Sequence, residues 1–149
     1  MHFRASNPYD YYRPKPCARR VALRHRGVKE SPRTEFDDLL SKLGTSHETA
    51  HLASLSGVTT LEGLDDESQE RETLAAIRAG VPAIYQARFR VSLDLDGESS
   101  DLVGLPDFLI RAGDGYIIRD SKLARRVEGQ HPEIALQLQL YGWRGSFAR

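Results

Sequence analysis

The chain has 149 residues, 40% of them hydrophobic and 28% charged, which suits one globular domain with a core of its own. Cys17 is its single cysteine, and this excludes an intrachain disulfide, a cysteine-only zinc site and a four-cysteine iron–sulfur cluster within the chain. The formal net charge is zero, no apolar run approaches the ~20 residues of a membrane span, and the N-terminus is polar and basic, so a cytoplasmic protein without membrane contact is expected.

The charge balance hides an asymmetry. Residues 1–33 carry nine Lys/Arg against Asp10 and Glu30, interleaved with Tyr9, Tyr11 and Tyr12, whereas residues 61–72 carry six acids against Arg71. A basic, aromatic arm holds phosphates by charge and stacks bases on rings; the plainer alternative is a solvated basic surface. Three prolines predict an extended arm over 1–16, followed by a short helix from Cys17 to about Arg26 and a loop over 27–33. The domain proper is expected over 34–149, with 1–33 as an arm.

A longer helix is predicted from Glu35 to about Leu55. Thr34 caps it with Asp37 at the reciprocal position, Phe36, Leu39, Leu40 and Leu43 recur at helical spacing, and Gly44 is a candidate break. Another helix is expected over about Glu67–Ala79, capped by Asp65 or Asp66 and stopped by Gly80. The pattern then turns to strands: Ala83–Leu95, Leu102–Arg111 and Tyr116–Ser121, with a hairpin turn at Ala112-Gly113-Asp114-Gly115. Pro132 opens a last helix over about Glu133–Trp143. Helices, a three-stranded meander and a final helix make an α/β architecture with a helix packed on a mixed or antiparallel sheet.

Asp107 is predicted mid-strand among apolar neighbours, where a carboxylate is costly without a cation. The hairpin turn places Asp120 opposite it within a residue. Two carboxylates on adjacent strands suit a hard cation such as Mg²⁺ or Mn²⁺. Lys122 shares a strand face with Asp120, because side chains repeat every two residues.

Pro106-Asp107 followed by Asp120-Ser121-Lys122 resembles the signature of the PD-(D/E)xK nucleases, and further residues resemble the RecB-like branch of that superfamily. Gln137 and Tyr141 match its helical Q-x-x-x-Y motif, His47 followed by Glu48 matches its metal-ligating histidine, and Cys17-Ala18-Arg19-Arg20 resembles its C-x-R-R segment. The resemblance implies a restriction-endonuclease-like core and metal-dependent phosphodiester hydrolysis, exonuclease-like and with little sequence specificity, on single- or double-stranded DNA. It implies Mg²⁺ or Mn²⁺ held by His47, Asp107 and Asp120, with the Ser121 carbonyl in support, and water activation by Lys122. Gln137 and Tyr141 would steady the centre. Tyr12, Arg19, Arg20 and Tyr141 would contact nucleic acid. With one cysteine, no iron–sulfur cluster is expected. The core of these nucleases continues beyond the Q-x-x-x-Y helix, so the resemblance also implies a terminal strand supplied by a longer chain, a C-terminal domain or a partner protein.

Two rivals stand beside this reading. His47-Glu48-Thr49-Ala50-His51 spells H-E-x-x-H, the zinc metalloprotease motif, with Glu67, Glu70 or Glu72 as third ligand. It leaves Asp107, Asp120, Lys122, Gln137 and Tyr141 without a role, and His51 then reads more simply as a half-buried helix histidine. The other rival is a nucleic-acid-binding module that keeps a nuclease fold without turnover.

Overall fold

The computed structural model describes residues 2–4, 7–12, 15–121 and 131–145. Among them it is a mixed α/β protein with five helices and seven strands in two sheets. The strands are β1 (His2–Arg4), β2 (Val58–Thr60), β3 (Ala83–Tyr85), β4 (Phe89–Leu95), β5 (Glu98–Gly104), β6 (Phe108–Ala112) and β7 (Gly115–Arg119). The helices are α1 (Asn7–Tyr12), α2 (Ala18–His25), α3 (Glu35–Ala53), α4 (Asp66–Ala79) and α5 (Pro132–Gly145).

One sheet has the order β2-β3-β6-β7, with β2 parallel to β3 and the other pairs antiparallel. The other has the order β1-β5-β4. The expected three-stranded meander is therefore an undercount. The predicted strand 83–95 is two strands, β3 and β4, in different sheets, and so is 102–111, as β5 and β6. At each break the chain changes sheets. Pro106 helps one break, because it has no N–H to give a ladder, and Gln86, with φ 58°, makes the other. The two crossings are joined directly, for the Gln86 N–H donates to the Asp107 carbonyl at 2.8 Å. Asp107 thus sits at a crossing rather than mid-strand.

The helix caps follow local chemistry. Thr34 and Asp37 form the reciprocal capping box of α3, and Asp65 caps α4 by accepting from the Ser68 N–H. Gly80 ends α4 in the left-handed region, φ 66°. Gly44 does not interrupt α3: one glycine costs about 1 kcal/mol, and the helix runs through it unbroken. The predicted extended arm over 1–16 is also corrected. His2–Arg4 pairs with β5, and residues 7–12 form α1, which packs on α2 and α5; Pro8 is tolerated because the first helical turn needs no N–H. The short strand β2 gave too few residues for a periodic signal.

The core lies between α4 and the four-stranded sheet. Leu61, Ala76, Ile84, Ala87 and Leu109 are buried, with Ile77, Val81, Phe89, Tyr116 and Ile118 packed against them. Ile84 and Leu109, out of water, each contribute about 1.5–3 kcal/mol. α3 departs from its predicted role: Phe36, Leu39, Leu40 and Leu43 remain largely exposed rather than packed into the core. Its C-terminal half, which carries Glu48 and His51, is the part that meets the body. No helix among the described residues is long and apolar enough to cross a membrane.

Candidate functional site

The β6–β7 hairpin sets the geometry. Its register pairs Ala112 with Gly115 and Phe108 with Arg119, so one further step brings Asp107 opposite Asp120. Asp120 Oδ2 is buried. The Ser121 N–H donates to Asp107 Oδ2 at 2.6 Å. Burial pushes the Asp107 carboxyl up to about 8, the neighbouring Asp120 carboxyl pushes the same way, the Ser121 N–H opposes them, and the charge of Glu48 adds to the rise. Two half-buried carboxyls side by side each make the other's charge costlier, and a divalent cation between them would relieve that cost.

Among the described residues no group of three His, Cys, Asp or Glu side chains is arranged to hold a metal ion. Two carboxylates, a backbone carbonyl and water nevertheless match what Mg²⁺ accepts, because it keeps several waters and takes one or two protein carboxylates. A structural zinc site asks for four protein ligands, and this set does not offer them.

His47 and Glu48 approach the pair from α3. His47 is exposed, and its Nδ1 lies 2.6 Å from Ser121 Oγ. Glu48 is half-buried and accepts from Gln86 Nε2 at 2.6 Å. Burial and the neighbouring Glu48 carboxylate push the Tyr85 phenol up to about 12. The nuclease motif brought His47 to notice and left Glu48 as its follower. Gln86 carried no sequence signal, since its importance lies in two chain crossings that only the tertiary structure joins; the nuclease signature offers Ser121 through its carbonyl, and the structure adds its N–H and hydroxyl. His51 packs edge-on against Phe108, ring centroids 4.7 Å apart. Of the acids offered as its zinc partners, Glu70 is paired with Arg88 and Arg90, and Glu72 with Arg71.

Gln137 and Tyr141 stand on one face of α5, both buried. Gln137 Nε2 donates to the Tyr141 hydroxyl at 2.8 Å, which donates to the Leu105 carbonyl at 3.1 Å. The pair therefore braces the Leu105-Pro106-Asp107 crossing from behind. Burial pushes the Tyr141 phenol up to about 12, and the charges of Asp120 and Asp107 add to that, whereas the Gln137 N–H opposes it. At 2% exposure, Tyr141 has no open face for a ligand in this conformation. Lys122 lies outside the described residues.

A cleft of about 1300 Å³ runs between α2, the 28–34 loop and α3 and reaches Ser121. Arg19, Arg20, Arg24, Lys29 and Arg33 line it against Asp10, Glu30 and Asp37, with Leu23 and Leu40 between. Arg24 is ion-paired with Asp10 and Glu30, and Arg33 with Asp38 at 2.9 Å. Arg20 donates to the Asp10 carbonyl at 3.0 Å. Tyr12 is half-buried and stacks edge-on with Tyr11, ring centroids 4.9 Å apart. Cys17 also lines the cleft. No family model, curated protein or solved structure matches this chain.

Proposed function

We propose that this chain is a divalent-metal-dependent nuclease domain with a restriction-endonuclease-like core, hydrolysing phosphodiester bonds of DNA in an exonuclease-like manner with little sequence specificity. The observation that carries this reading is the Asp107–Asp120 pair, set side by side at the adjoining ends of two strands, with the next residue, Ser121, lining a cleft that holds more cations than anions. A bound Mg²⁺ or Mn²⁺ supplies charge stabilisation to the phosphate and lowers the pKa of water.

The residues divide the remaining work. Asp107 and Asp120 hold the cation, and the Ser121 carbonyl is the third protein oxygen within reach of the same turn. Lys122, two residues after Asp120, is the residue for orienting the attacking water and taking part in its deprotonation. His47 steadies the turn through Ser121 Oγ, and Gln137 with Tyr141 fixes the crossing that carries Asp107. The cationic cleft holds the sugar–phosphate backbone, which accounts for weak base selectivity. His47 and His51 face different partners, Ser121 and Phe108, and this favours separate roles for them over a shared zinc.

Cleavage of linear single-stranded, linear double-stranded and closed circular DNA with Mn²⁺ or Mg²⁺ tests the proposal. Cleavage that EDTA and Lys122→Ala abolish, and that spares closed circles, is the expected result. A folded protein that leaves every substrate intact at all metal concentrations sinks the catalytic reading. Salt-sensitive DNA binding without cleavage would then leave a binding module.

A further inference from the structure

We infer that Tyr85-Gln86 is a clamp that positions the candidate metal centre, with Gln86 as its hinge: it holds the Glu48 carboxylate of α3 beside the Asp107–Asp120 pair and fixes the backbone of Asp107 at the same time. This rests on the metal-dependent reading given above.

Consecutive side chains in a strand point to opposite faces. Tyr85 is the last residue of β3, so Gln86 in extended conformation would point away from Glu48. Its φ of 58° breaks that alternation. As a result Gln86 Nε2 donates to the Glu48 carboxylate at 2.6 Å, and the Tyr85 phenol lies near the same carboxylate. The same residue spends its N–H on the Asp107 carbonyl at 2.8 Å. Its own carbonyl accepts from Gln69 Nε2 at 2.6 Å, which ties the clamp to α4. A non-glycine residue in the left-handed region is sparsely populated and persists only where its surroundings over-determine it; such residues gather at functional sites. Here three hydrogen bonds and two structural elements converge on one strained residue. A glutamine that orients a carboxylate beside a metal site is a positioning residue. Loss of such outer partners weakens metal affinity by about 10- to 100-fold in general.

The test is calorimetric titration of the full chain with Mn²⁺, comparing the wild type with Gln86→Gly, Gln86→Asn and Tyr85→Phe. Glycine accepts the positive φ and removes the side-chain clamp; asparagine tolerates that φ but is one methylene too short; phenylalanine keeps the ring and removes one donor. The expected result is Mn²⁺ affinity about 10- to 100-fold weaker in the Gln86 variants and a smaller loss in Tyr85→Phe, with metal-free melting close to wild type. In cleavage assays the metal requirement rises by the same factor, and saturating Mn²⁺ restores the rate. Wild-type Mn²⁺ affinity in all three folded variants overturns the clamp and leaves the metal reading standing. A wild-type chain that binds no Mn²⁺ overturns the metal reading, and the clamp with it.

Discussion

The Ser121 N–H donates to Asp107 Oδ2 at 2.6 Å, across the gap between the start of β6 and the end of β7. One backbone donor therefore tethers the Asp120-Ser121 turn to the acid on the neighbouring strand, and Ser121 Oγ carries the link on to His47. The turn after β7, the crossing before β6 and α3 are held as one unit, and perturbing any of the three disturbs the same pair of carboxyls.

Metal-free stability falls as pH rises. The Asp107 carboxyl has an ordinary value near 3.8 and stands at about 8 in the folded protein, raised by burial and by Asp120. A carboxyl raised in this way binds its proton more tightly when folded, so its contribution to stability is full below about 3.8 and is lost as pH climbs through about 8. Melting temperatures in EDTA should decline across that window, and Asp107→Asn should flatten the decline. Added Mg²⁺ should lift the alkaline end by mass action. A melting temperature independent of pH over the window, in wild type and variant alike, contradicts the raised Asp107 carboxyl.

Tyr141→Phe removes the hydroxyl that bridges Gln137 and the Leu105 carbonyl. It leaves the buried Gln137 amide and the part-buried Leu105 carbonyl without their partner, at a cost of about 1–3 kcal/mol. Urea denaturation measures that loss. If the bracing role is correct, cleavage or Mn²⁺ affinity also weakens, because the brace carries Asp107.

Gly80→Ala places a side chain where φ is 66° and where its Cβ would meet the Arg111 guanidinium. The left-handed conformation alone costs an L-residue about 1–2 kcal/mol. A drop of that order in unfolding free energy, with Mn²⁺ affinity unchanged, is expected, since Gly80 lies at the far end of α4 from Gln69 and the clamp.

Arg19→Ala and Lys29→Ala take charges from the cleft that leads to Ser121. Each should lower affinity for single-stranded DNA about equally across sequences. Each should also reduce the slope of log affinity against log salt concentration by about one for every phosphate that is no longer neutralised. Filter binding over a salt series reads both effects, and an unchanged slope removes the residue from the DNA path.

Much was legible because it is local. The Thr34–Asp37 capping box, the Asp65 cap and the Gly80 stop depend on residues within a few positions of one another, and α3 begins, and α4 begins and ends, where those residues say. The hairpin around Gly113-Asp114 follows from turn chemistry, and with it the register that sets Asp107 against Asp120. The helical spacing of Gln137 and Tyr141 put both on one face of α5, and both are buried there. What the apolar pattern could not tell was where the chain changes sheets: Ala83–Leu95 and Leu102–Arg111 each alternate like one strand, yet each splits between two. That division comes from long-range pairing, β3 with β6 and β4 with β5, and from the Gln86–Asp107 bond that joins the crossings. The acids of the candidate centre, and Ser121 beside them, were therefore written in the sequence, whereas Gln86 and Tyr85 were selected by tertiary structure alone, because they act through contacts between segments far apart in the chain.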